Sequence, residues 1–240
     1  MAARQKRLHV LVKDLSRDFR LQADAKVAAG CSAYLRNQFP FLGLRGPVRR
    51  QVQKGVFAKH GLEDGQELTT VLKQLWKMEE REYQMAAIDL AVKYQKLWTQ
   101  EMFETFEYMV RNKSWWDTVD LVASKLVGGL IQKHPDLVAR MDEWIDDEHM
   151  WARRTAIIHQ LNYKAPHFTS LWWTKTDQVK LFDFCKRRAH EKEFFIRKAI
   201  GWALRQHARL EPDAVVAFIE ENRTTLSALS VREATKRLAL

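Results

Sequence analysis

One pattern recurs along this chain and restricts its fold more than any other feature: an aromatic residue four or five positions ahead of an Ala-Ile pair. It occurs at Tyr83 before Ala87-Ile88, at Trp151 before Ala156-Ile157, and at Phe194-Phe195 before Ala199-Ile200. Side chains four apart share a face of an α-helix, so each copy reads as one apolar helical stripe. Ala156 and Ala199 are 43 residues apart, and the 69 residues from Ala87 to Ala156 leave room for one more copy centred on Trp115. That period suits stacked helix pairs of the HEAT type. Val231-Arg232-Glu233-Ala234 reads as a degenerate copy that closes the array. Glycine (9) and proline (5) are scarce and runs of alternating β-branched residues are absent, so the class expected is all-α. His134-Pro135-Asp136 and Glu211-Pro212-Asp213 put proline and an acid where a helix begins. The expectation is a single domain, residues 1–240, of HEAT-like helical repeats forming a curved α-solenoid whose concave face is the binding surface.

The charge pattern narrows what that face would bind. Net charge is +10, and no acidic residue stands between Asp24 and Glu63, where Lys26, Arg36, Arg45, Arg49, Arg50, Lys54 and Lys59 all fall. Like charges this dense repel unless a polyanion neutralises them, so the concave face is expected to be a basic, phosphate-binding groove with Arg45, Arg49 and Arg50 as phosphate contacts, the other reading being a solvated basic face. Other classes fall away. No apolar run reaches the length of a membrane span. Leu8 to Val12 is cut short by Lys13 and Asp14, which makes a poor signal sequence, so a cytoplasmic protein is expected. Cys31 and Cys185 stand alone and the eight histidines form no HExxH, so neither a metal nor another cofactor is expected.

Two helical faces carry the residues suited to chemistry. In Lys113 to Val122, the stripe Trp115, Val119, Val122, Leu126 reads as core, which leaves Trp116 and Asp120, four apart, together on another face. Ser114 and Asp117 have capping-box spacing, so Asp117 is expected to serve the helix start. Asp120 then reads either as a functional carboxylate or as the salt-bridge partner of a nearby arginine. Further on, Lys198, Trp202, Arg205 and Arg209 share one face, with Gly201 allowing close approach. An indole among cations suits nucleic acid, although a tryptophan in a helix seam with snorkelling arginines has the same spacing. Of Arg153 and Arg154 in the preceding copy, one is expected to face inward.

These strings resemble the AlkD family of bacterial DNA alkylpurine glycosylases over nearly the whole chain. The likeness runs through Tyr34 to Leu44 with Pro47 and Arg49-Arg50, Leu75-Trp76 with Glu80 to Gln84, Lys113 to Asp120, and Lys192 to Ile196 through Arg205. The resemblance implies HEAT-like repeats around duplex DNA and hydrolytic excision of cationic purines alkylated at N3 or N7, by a protein acting as a monomer. By position, it implies Asp120 as the catalytic aspartate, Trp116 and Trp202 as aromatic walls, and Arg154 and Arg205 among the DNA contacts; Lys198, on the face of Trp202, and Tyr34, in the opening segment, are expected to contact DNA as well. Two other readings stay open: a HEAT-repeat nucleic-acid-binding protein without catalysis, and a protein-interaction scaffold. The segment Ala165 to Asp177, with Trp172-Trp173, departs from the family in being longer than its usual linker.

Overall fold

A computed structural model describes residues 2–163, 176–236 and 238. Among them there are helices and turns and no strand, as the repeated stripe implies. The long segment Ala165 to Asp177 lies outside the described residues except for Thr176 and Asp177. The chain divides into two compact units, Met1–Thr105 and Phe106–Leu240. The first holds α1 (Ala2–Leu21), α2 (Ala25–Tyr34), α3 (Gly46–Lys59), α4 (Gly65–Lys77) and α5 (Arg81–Lys93), and the division falls within α6 (Met102–Arg111). The second continues with α7 (Trp116–Leu121), a π-helical turn Val122–Val127, α8 (Gly128–Lys133), α9 (Ala139–Trp144) and α10 (Met150–Ile158). It ends with α11 (Gln178–Arg187), α12 (Phe194–His207), α13 (Pro212–Glu221) and α14 (Ala228–Thr235).

The Ala-Ile pairs explain the packing. Ala87, Ala156, Ala199 and Ile200 are wholly buried and Ile88 and Ile157 nearly so, on α5, α10 and α12 respectively. Within the first unit α5 packs on α4, whose Leu68, Val71, Leu72, Leu75 and Trp76 form one fully buried stripe. Asp64 starts α4 by accepting the Glu67 backbone N–H, 2.9 Å away, which gives one orphan donor of the first turn a partner. In the second unit α10 packs on α9 and α12, and α12 on α11 and α14, so the repeated helices lie beside one another. No helix of the described residues is long and apolar enough to cross a membrane.

Candidate active site

The second unit carries a cavity of about 290 Å³ whose lining includes Trp116, Asp120, Lys198, Trp202 and Arg205. Trp116 opens α7, and Asp120 follows one turn later on the same face, so helical geometry alone places the indole beside the carboxylate. Lys198, Trp202 and Arg205 come from α12 at spacings of four and three, which brings them to the cavity as one face. Both Trp116 and Trp202 are half-buried. Arg209, expected on that face, stands beyond the end of α12, is exposed, and does not line the cavity.

Asp120 is held from behind. Arg154 of α10 donates to it as a fork from one edge of its guanidinium, Nε to Oδ1 at 2.8 Å and Nη2 to Oδ2 at 2.9 Å. The third nitrogen of Arg154 donates to the Phe195 carbonyl, so each guanidinium nitrogen has a partner, and the residue is only 4% exposed. Arg154, which also lines the cavity, is therefore the inward-facing member of its pair, and its buried guanidinium is bonded to Asp120. Arg153 bonds Glu191 and the carbonyls of Asp147 and Glu148 instead. Burial pushes the Asp120 carboxyl above the usual carboxylate range, with nearby Asp117 adding to the shift and the Arg154 fork opposing it. The fork is a permanent cation and favours the ionised carboxylate over the neutral acid.

Two local expectations need correcting. Trp115, read as core, precedes α7 in extended conformation and is half-buried, its ring packed edge-on against Phe195 at 5.3 Å and tilted against Trp151 at 5.8 Å. A residue ahead of the first helical turn lies off the helical cylinder, so the 3.6-residue spacing that correctly buries Val119, Val122 and Leu126 does not reach it. Ser114 does not cap α7; its Oγ donates to the Val110 carbonyl of the preceding helix, 2.6 Å away. The cavity also takes in Phe194, Phe195 and Glu233, none of which was singled out as a site residue. The two phenylalanines belong to a recurring stripe, which reads as core. Glu233 lies 35 positions beyond Lys198 in the closing repeat, and only the packing of α14 on α12 joins them. Among the described residues no cluster of His, Cys, Asp or Glu could hold a metal ion.

A family model for the DNA alkylation repair enzyme matches residues 15–238. The chain belongs to that family. A predicted DNA alkylation repair enzyme from Enterococcus faecalis is 32% identical, with 90% of this chain and 97% of that one covered at a TM-score of 0.80. AlkD2 from Streptococcus mutans, 18% identical, aligns over 89% of this chain and all of its own at a TM-score of 0.59. The smu.31 protein from Streptococcus mutans UA159, 17% identical, aligns over 79% of this chain and 90% of its own at 0.58. Both show the helical-repeat fold alone. No curated protein matches in sequence.

In this family member the basic stretch lies in the first unit, and its candidate residues separate by burial. Tyr34, the last residue of α2, is 73% exposed, and Arg45 and Arg50 are exposed at the start of α3. The loop between those helices is held by the buried Glu82 carboxylate, which accepts the N–H groups of Leu42, Gly43 and Leu44 at 2.8–3.1 Å. Gly43, at φ 93°, makes that turn where a Cβ would lie 2.0 Å from the Asp24 carbonyl oxygen. Arg49 is buried, its Nη1 2.8 Å from Asp89 and 3.1 Å from Gln53, so its guanidinium is bonded within its own unit, unlike those of the exposed Arg45 and Arg50. Arg50→Glu is accordingly expected to weaken binding to every duplex alike with the melting temperature unchanged, whereas Arg49→Glu lowers the melting temperature. Thermal melts beside duplex titrations check both; equal melting losses would make the two arginines alike.

Proposed function

We propose that this protein is a DNA glycosylase that hydrolyses the N-glycosidic bond of cationic N3- or N7-alkylated purines in duplex DNA. The observation that carries the reading is the Asp120 carboxylate, fixed by Arg154, at a cavity that Trp116 and Trp202 also line. An alkylated purine already bears positive charge and leaves without protonation, so no general acid is needed. What the reaction needs is negative charge beside the deoxyribose as it becomes oxocarbenium-like, and a water brought to the far face. Asp120 supplies the first and can orient the second. Indole faces attract cations, so Trp116 and Trp202 favour the lesion over neutral purines. Lys198 and Arg205 suit flanking phosphates. In the first unit the exposed Tyr34, Arg45 and Arg50 suit sequence-independent contact with the duplex.

The test is base release from methylated duplex DNA, run across pH. Release is expected, with a rate that is high at neutral pH and falls on the acid side as Asp120 takes up its proton. Burial raises that carboxyl, so the fall begins at a higher pH than for an exposed aspartate. A binding protein without catalysis would hold the duplex and release nothing. Release with no acid limb would remove Asp120 from the chemistry.

A further inference from the structure

The cavity contains a second carboxylate whose sign is wrong for binding a polyanion. Helix α14 lies so close to α12 that a Cβ on Gly201 would come within 2.4 Å of Glu233 Cβ and 2.7 Å of the Ser230 carbonyl oxygen. Ser230 Oγ donates to the Arg197 carbonyl, 3.0 Å away, and fixes the register of the pair. This contact carries Glu233, 4% exposed, onto the face formed by Lys198, Trp202 and Arg205. Its carboxylate takes Lys198 Nζ at 2.9 Å, Arg205 Nη1 at 2.7 Å and Lys236 Nζ at 2.7 Å. Arg205 Nη1 also donates to the Glu233 carbonyl at 3.0 Å. These bonds, that of Lys236 first, hold the Glu233 carboxyl down to about 2, so it is an anion wherever the protein is folded and active.

An anion here weakens attraction to phosphate, so simple affinity does not account for it. What it supplies is order. Free lysine and arginine side chains carry much rotamer entropy, and fixing them before DNA arrives removes most of that cost and sets their direction. We propose that Glu233 is a positioning residue: it holds Lys198 and Arg205 at the edge of the Asp120 cavity, so that the phosphates beside a lesion nucleotide seat in the register that excision requires. This rests on the glycosylase reading. Glu233 touches no reacting atom and acts through two cations, giving up general affinity for a defined placement.

The experiment uses the full chain and two readouts, single-turnover release of 7-methylguanine and affinity for the same duplex undamaged at several salt concentrations. Glu233→Gln is expected to slow release about tenfold or more, by analogy with a group that orients a reactant. The same variant is expected to bind undamaged duplex more tightly, with a salt slope steeper by about one to two as released cations meet one or two more phosphates. Because Glu233 acts on the rate through them, its substitution slows release no further in a Lys198→Ala, Arg205→Ala background. A rate loss that persists in that background, or duplex binding that is unchanged or weaker, overturns the proposal and leaves Glu233 as a tie between α12 and α14. If Glu233→Gln does not fold, Glu233→Asp keeps the charge and shortens the reach: slower release at an unchanged salt slope supports the proposal, and an unchanged rate overturns it. Should the wild-type chain release no base, the glycosylase reading falls, and the affinity and salt-slope readouts still decide whether Glu233 restrains the two cations.

Discussion

Asp120→Asn is expected to slow release of 7-methylguanine by about 10²-fold or more, the scale on which one electrostatic stabiliser of a charged transition state is worth. The substitution preserves size and removes charge. It also has a structural consequence that the bare spacing of Trp116 and Asp120 does not show. Arg154 loses its counter-charge while 4% exposed, and a buried ion pair broken from one side costs up to about 3–5 kcal/mol. The melting temperature should therefore fall together with the rate, and activity must be counted per folded molecule. A second substitution separates the two effects. Arg154→Gln in the Asp120→Asn background removes both charges and leaves two amides able to bond each other and the Phe195 carbonyl. Stability is expected to return in large part, and base release is not. If release recovers with the melting temperature, Asp120 serves only the ion pair that its sequence context also allowed.

The sequence revealed what depends on one helix and hid what depends on two. Ala87-Ile88, Ala156-Ile157 and Ala199-Ile200 are buried because residues three, four and seven apart share a face whatever the partner helix is. The same rule set Trp116 beside Asp120 and Trp202 beside Lys198 and Arg205. Distinguishing Arg49 from its neighbour Arg50 was impossible in that way, because the deciding residue, Asp89, is 40 positions away and reaches Arg49 only when α5 packs on α3. Asp120 and Arg154, 34 positions apart, and Glu233 with Arg205, 28 apart, are joined by packing in the same manner. Ser114 shows a different limit. A hydroxyl can turn back to a carbonyl four residues earlier as well as forward to an N–H, and the spacing Ser-x-x-Asp does not choose between them.

Replacing either aromatic wall should separate activity from folding. Trp116→Ala and Trp202→Ala are each expected to slow release of 7-methylguanine by roughly 10–30-fold, the equivalent of losing one desolvated cation–π contact of about 2 kcal/mol. Both indoles are half-buried and line an open cavity, so their truncation removes surface that was partly wet and leaves little new void. Trp144, 2% exposed in the same unit, is the proper control. Its truncation opens a cavity in packed protein and should cost about 3–5 kcal/mol of stability. Trp202→Phe adds a finer step, since phenylalanine keeps a ring face with a weaker quadrupole and should fall between tryptophan and alanine in rate. That order follows from attraction to a cation. If alanine at 116, 202 and 144 lowered stability alike, the first two would be core residues. If instead phenylalanine at 202 released base no faster than alanine, the wall would act through indole shape or its N–H, and charge selection would have to come from Asp120 alone.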